Sequence, residues 1–375
     1  MWIIYPALFL YGAFYYTVNG PVSEQYVSLI KQLFPDSAST FRGIPTPPIV
    51  IAGMAIFYFY VLALATYSLR KSMQVWGKGA TAGTVLTHGL LRLLDVFIVT
   101  PLVLLILALL AFPFLGEFIG VGDKFVAIGN ELGRIYSENI PTLIEIPLPL
   151  AFVLTLVMAE LPSYALHRLQ HASRLFWYLT HRTHHTTEIL HPMGVGPAVG
   201  FKVLSRIPLF LMQLLISKLL YTDGLLHELL MFYVLLAFCE PLNHEPHLYR
   251  AIMKNRFLRF IFSLTGCGPY HVMHHSAKEG EEAINLGGAC FFIWDRLFGT
   301  YVKPRPDLPK VGLTNQPDMI MNPWIVNFSG FMTIIYELTH NSIRYWPWIL
   351  CGSVYYKPPH SKEYLILGYS KPAVV

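Results

Sequence analysis

The sequence predicts an all-α fold: a multi-pass membrane bundle of four long helical spans and a helical hairpin, with a histidine-rich cap on the cytoplasmic side. Three observations predict it. Only 13% of the 375 residues are charged, against about 25% in typical soluble domains. Uncharged runs recur that are long enough to cross a hydrocarbon core of about 30 Å. Finally, many of the fifteen histidines cluster just past the ends of apolar runs. A chain that is 54% apolar with a net charge of +5 is a poor fit to a disordered protein, a nucleic-acid binder or a disulfide-stapled secreted scaffold. Cys239, Cys267, Cys290 and Cys351 lack CxxC spacing, so neither a thiolate zinc site nor a redox pair is indicated.

The elements follow in chain order. Met1–Val18 is uncharged and lacks both a basic leader and a small-residue cleavage site, so it reads as a retained helix rather than a signal peptide. Pro48–Leu69 and Val96–Gly116 are the second and third spans. The fourth begins near Ile146, with Glu145 and Glu160 at its edges. Pro147 and Pro149 suit its first turn, and Pro162 is expected to kink its far end. Ile207–Ser217 and Leu229–Cys239 flank a Thr-Asp-Gly turn at Thr222–Gly224. They form a hairpin that crosses the bilayer or dips into it.

The positive-inside rule orients the chain. Arg70–Arg92 carries Arg70, Lys71, Lys78 and Arg92 without an acid, which makes it a cytoplasmic loop. Glu117–Glu145 carries five acids against two bases and lies outside. His167–Arg206 is basic and cytoplasmic again, and the hairpin returns the chain to Arg250, Lys254, Arg256 and Arg259 on that side. The C-terminal part, mixed and rich in Pro, Tyr and Trp, is expected on the cytoplasmic surface or in the interface.

Eight of the fifteen histidines form three motifs: His167 and His171; His181, His184 and His185; and His271, His274 and His275. Spacings of three and four put rings on one helical face, with Cβ atoms about 5–6 Å apart. Several imidazoles can then reach one ion or a close pair. Eight nitrogen donors exceed the four of a structural zinc site, which favours two metals. Imidazole alone suits iron, zinc, copper or nickel. Haem would place histidines inside facing spans, and the uncharged stretches of the four long spans contain none. His244 and His247 sit where the hairpin re-emerges and are further candidate ligands; His191 is a candidate ligand or a support for one. His88, His227, His340 and His360 are isolated and read as interfacial or surface residues. Glu160 lies two helical turns before His167. Metal-bound imidazoles usually pass their second N–H to a carboxylate or carbonyl, so Glu160 is the expected partner, and Tyr164 shares its face.

These residues resemble the fatty acid hydroxylase superfamily, the membrane-bound group that includes sterol desaturases and alkylglycerol monooxygenase. The likeness runs from Glu160, Tyr164, His167, Arg168 and His171 through the second motif and His191-Pro192 to His244. It continues with Gly268-Pro269, the third motif, Asn285 and Trp294-Asp295-Arg296-Leu297-Phe298-Gly299-Thr300-Tyr301. Gly312-Leu313-Thr314 and Asn322-Pro323 are similar, more weakly, to the alkylglycerol monooxygenase side. One departure is Glu245-Pro246-His247 where many members carry a small residue and Asn.

The resemblance implies a non-haem di-iron oxygenase that hydroxylates an unactivated C–H bond of a fatty acyl, sterol or ether lipid. O₂ is the co-substrate, and electrons come from an external reductase or carrier protein. Zinc could substitute for the two iron ions. Glu160, Tyr164 and Asp295 are its candidate catalytic residues. A desaturase using the same site, and a non-enzymatic membrane metal-binding protein, are the alternatives. A zinc hydrolase lacks its HExxH signature here. The expected organisation is an N-terminal transmembrane part (1–145), a histidine-bearing catalytic domain (146–305) and a cytoplasmic or interfacial C-terminal segment (306–375). The endoplasmic reticulum and a bacterial inner membrane both fit, and no nucleic-acid partner is expected.

Overall fold

The computed structural model describes residues 40–41, 44–45, 48–94, 98, 134–192, 201–225, 228–229, 232, 236, 238–281, 283–287, 292–313 and 323–362. The expected span Met1–Val18 lies outside them, as do all but one residue of Val96–Gly116, most of the loop Glu117–Glu145, His227, Cys290, Thr314 and Asn322. The described elements are helical except for a small antiparallel ribbon. In it β1 (Thr40–Phe41) pairs with β2 (Ile44–Pro45), with Phe41 opposite Ile44.

Helix α1 covers Pro48–Trp76 and α2 covers Lys78–Leu94. The segment Arg70–Arg92, expected as a loop, is therefore helical on both sides of Gly77. No proline or glycine interrupts residues 70–76, so α1 continues past its apolar run. Gly77 then turns the chain at φ +84°, a conformation that glycine adopts without a Cβ penalty. His88, read as a surface or interfacial residue, is instead buried in α2 at 2% exposure, whereas His340 and His360 are exposed.

Helix α3 spans Leu148–Ala172 and contains Pro162 in its interior. By length and hydropathy it could cross a membrane. Helix α6 (Phe201–Leu220) packs along it. Ala151 and Leu156 of α3 meet Leu225 and Leu229 beyond the hairpin turn, and Phe152 meets Phe232 edge-to-face at 6.0 Å. At the turn, Glu145 Oε2 accepts from the Thr222 backbone N–H at 2.9 Å and from its hydroxyl at 2.6 Å. Gly224 has φ +67°, and a Cβ there would lie 2.0 Å from the Tyr136 hydroxyl. The second arm, Leu229–Cys239, is described only in part.

Between α3 and α6 come α4 (Arg174–Phe176), a π-turn (Trp177–His181) and α5 (Arg182–His185). Past the hairpin lie 3₁₀ turns at Glu240–His244 and Pro246–Leu248. Then come α7 (Tyr249–Lys254), α8 (Arg256–Thr265), α9 (Pro269–His274) and α10 (Ile293–Phe298). The C-terminal segment contains a long helix, α11 (Pro323–His340), and a short one, α12 (Trp346–Cys351). Phe328, Phe331, Met332 and Ile335 form an exposed stripe on α11, at helical spacing. Its other face lies on the π-turn and α5.

Candidate metal centre

Helix α3 presents His167 and His171 one turn apart, with ring centroids 5.3 Å from each other. The helix stops at Ser173, whose φ of −105° and ψ of 131° are extended. This break and the wide π-turn fold the chain back, so that His181 lies 4.7 Å from His171, ring to ring. The 3₁₀ turn at Glu240–His244 delivers His244. Asn243 Oδ1 accepts from the Gly268 N–H at 2.7 Å, tying that turn to the start of α9, which carries the third motif.

Two groups of four result. The candidate ligand nitrogens of His167, His171, His181 and His274 all lie within 4.8 Å of one another, and so do those of His184, His244, His271 and His275. Each group mixes residues from different motifs, because the second and third motifs each send histidines to both. His185 bridges them. Its Nε2 is 3.0 Å from that of His181 and 3.1 Å from that of His274, while its ring sits 4.4 Å from that of His275. Trp177 walls the first group, 5.1 Å from His171 and 5.4 Å from His185.

The donor chemistry fits divalent cations. His167 Nδ1 is 2.6 Å from the Leu286 carbonyl, and His274 Nδ1 is 2.9 Å from the Ile284 carbonyl. A carbonyl only accepts, so Nδ1 carries the proton in both rings, and each neutral ring keeps a bare lone pair on Nε2. Those two Nε2 atoms face each other at 3.2 Å, which is repulsive unless a positive charge lies between them. Metal–nitrogen bonds of about 2.1 Å place ligands at right angles about 3.0 Å apart. The His167–His181 separation is 3.0 Å, and in the second group His271 lies 3.1 Å from His275 and 3.2 Å from His244. Burial first, then crowding by neighbouring imidazoles, holds His181, His184, His185, His274 and His275 well below the usual histidine range. They are neutral at pH 7, the form that binds metal.

The remaining candidates are placed differently. Glu160 is buried, but the second N–H of His167 goes to Leu286 rather than to this carboxylate. Glu160 and Asp295 both approach Gly287, where a Cβ would lie 3.3 Å from Glu160 Oε1 and 2.7 Å from Asp295 Oδ2. Tyr164 turns toward α10: its hydroxyl is 3.0 Å from Thr300 Oγ1, Arg168 donates to it at 3.1 Å, and its ring stacks on Phe298 at 5.4 Å. Asp295 accepts from the Leu286 and Gly287 backbone N–H groups and from the Thr300 hydroxyl, each at 2.7 Å. Burial raises its pKa, against the pull of those bonds. Asp295 thus holds the backbone whose Leu286 carbonyl orients His167. It positions a histidine at one remove.

His247 lies outside both groups. Glu245 leaves the first 3₁₀ turn at φ −114°, ψ 83° and caps the second by accepting from the His247 N–H at 3.0 Å. The imidazole is sent toward α1, where Nε2 is 3.0 Å from Ser72 Oγ. His191 also faces α1, its Nε2 3.1 Å from the Ala65 carbonyl. Sequence reasoning missed the Ile284 and Leu286 carbonyls, since backbone acceptors have no residue code. The one available signal was Asn285, which stands at φ 51°. Its side chain donates to Val302 O at 3.0 Å and accepts from Val302 N at 2.9 Å.

Residues 152–300 match the fatty acid hydroxylase family. The chain is also similar to ornithine lipid hydroxylase OlsE of Rhizobium tropici, with 31% identity over 176 residues. That alignment covers 45% of this chain and 47% of the relative, so it spans about half the length of that protein. No solved structure matches significantly. Both histidine groups fall inside the region, residues 152–300, that is similar to the fatty acid hydroxylase family.

Proposed function

We propose that this chain is a membrane-embedded, dimetal lipid hydroxylase that inserts one oxygen atom of O₂ into an unactivated C–H bond of a lipid. The observation that carries this reading is the pair of adjacent histidine groups with facing, unprotonated ring nitrogens at ligand separations. Iron is the metal assigned, because the reaction consumes O₂. The balance is one C–H bond, O₂, two electrons and two protons giving an alcohol and water. When bound, the metals supply the activation of O₂. The protein's own residues do the rest. His167, His171, His181, His185 and His274 are the proposed donors of one site, and His184, His244, His271 and His275 of the other. The Leu286 and Ile284 carbonyls fix two of the rings, and Trp177 excludes water from one side.

The membrane reading rests on α3, which is apolar at its start and carries His167 and His171 near its end. In this reading the metal centre lies at the membrane edge of a multi-pass chain, on the side that the excess of Lys and Arg makes cytoplasmic, with residues 1–145 as the anchor and 146–305 as the catalytic part. A lipid can enter sideways from the bilayer, and the basic cytoplasmic face offers a docking surface for an electron-carrier protein. The name of the relative favours hydroxylation over desaturation and a polar membrane lipid as substrate. The test is to load the protein anaerobically with iron, count metal per chain, and follow O₂ uptake with reductant and membrane lipid. About two irons, with lipid-dependent uptake lost in His184→Ala, support the reading. A fully loaded protein that consumes no O₂ with any lipid contradicts it.

A further inference from the structure

The second histidine motif serves both metal groups: His181 joins one, His184 the other, and His185 touches both. The segment that carries it, 173–185, has no long helix of its own. It is held by a part of the chain that begins beyond the matched family region, residues 326–361. Ser173 forms an antiparallel bridge with Ser353, and the Arg174 backbone N–H donates to the Gly352 carbonyl at 3.0 Å. The Ser173 hydroxyl donates to Leu350 O at 3.2 Å, and Thr183 Oγ1 donates to Val326 O at 3.1 Å. Gly330 of α11 lies directly on the π-turn, where an added Cβ would stand 2.0 Å from the Tyr178 carbonyl oxygen.

The fixed point of this arrangement is a buried ion pair. Arg174 Nη2 is 2.5 Å from Glu337 Oε2, and the two side chains are 2% and 0% exposed. Arg174 also donates from Nε to Ile349 O at 3.3 Å and from Nη1 to Tyr356 O, so its guanidinium joins α11, α12 and the irregular segment after it. Glu337 Oε1 accepts from Ser361 Oγ at 2.6 Å. A buried charge pair is a weak source of net stability but a strong constraint on geometry, since neither partner can leave without stranding the other. Arg174 stands three residues after His171, at the break that redirects the chain toward His181.

We propose that residues 326–361 are a positioning clamp for the second histidine motif, with Arg174 and Glu337 as its fixed point, and that both metal sites depend on it. This rests on the dimetal reading above. The test uses the full-length detergent-solubilised chain and cobalt(II) as the probe, read by its ligand-field absorption. Titrations run at low temperature, where each variant keeps its helical circular dichroism. Glu337→Ala should weaken cobalt binding at both sites by tenfold or more and change the absorption. Glu337→Gln, which keeps an acceptor for Arg174 and a partner for Ser361, should recover most of that loss. Gly330→Val, which pushes α11 off Tyr178, should act like Glu337→Ala. Leu229→Ala, in the hairpin core, should lower the melting temperature without changing cobalt affinity. Variants of Glu337 and Gly330 that melt earlier but bind two cobalt ions like wild type would overturn the clamp alone. A wild-type chain that binds no cobalt would overturn the dimetal reading and the clamp with it.

Discussion

Replacing Asp295 with Asn tests whether its carboxylate acts through His167. The carboxylate accepts three hydrogen bonds at 2.7 Å: Leu286 N and Thr300 Oγ1 on Oδ1, and Gly287 N on Oδ2. Asparagine has one carbonyl oxygen. If it faces Leu286, its NH₂ meets the Gly287 N–H; if it is flipped, the NH₂ meets the Leu286 N–H. Either way one backbone donor loses its acceptor. Hydrogen bonds to charged groups contribute about 1.5–3 kcal/mol, and a buried donor left unpaired costs about 1–3 kcal/mol. Relief of the buried charge returns part of this, since desolvation already disfavours the ionised carboxyl. A net loss of about 2–3 kcal/mol is expected. The part that reaches the metal is what shifts the Leu286 carbonyl away from His167 Nδ1. Changes to such supporting groups typically cost about 10–100-fold in metal affinity. The assay is a metal titration beside a thermal melt, for Asp295→Asn and for Thr300→Val, which removes one bond of the three and should lose less. Wild-type metal affinity in Asp295→Asn would refute the positioning role. Normal affinity with lost activity would move Asp295 into the chemistry itself.

His247→Ala should leave two metals per chain and unchanged affinity, at a cost of about 1 kcal/mol from the lost Ser72 contact; metal counting checks it, and a missing metal would return His247 to the ligand set. His244→Ala should weaken one site and spare the other, visible as a biphasic titration where wild type is closer to uniform. Gly224→Ala should destabilise the hairpin by at least about 1–2 kcal/mol from its left-handed backbone, with Tyr136 displaced as well, and a melting temperature equal to wild type would contradict the turn geometry.

Local geometry was legible in the sequence where it depends on neighbours along the chain. Spacings of three and four place His167 beside His171 and His271 beside His275 on one face, and prolines at the start of α3 mark where it begins. The division of histidines into two groups was not legible, since it depends on the break at Ser173 and the π-turn that follows. His247 shows the same limit: its spacing from His244 matches a ligand pair, but Pro246 and the Glu245 cap turn it to Ser72. The loop expected at Arg70–Arg92 is helical because positive charge reports the side of a membrane and carries no information on backbone conformation. The clamp was invisible for a plainer reason. Arg174 and Glu337 stand 163 residues apart, and each alone reads as an ordinary charge. Helix α11 was missed because Asn327, Ser329, Gly330 and Thr333 dilute its apolar run, yet Ser329 and Thr333 are buried against the rest of the fold.

The most direct test of the central claim follows the oxygen. Iron-loaded protein, reductant and membrane lipid are incubated under isotopically labelled O₂, and the lipids are analysed by mass spectrometry. The account predicts a lipid that has gained one labelled oxygen atom, formed by wild type and absent with His184→Ala or after chelation. A lipid that loses two hydrogens without label, or no labelled lipid from a fully loaded enzyme, would contradict it.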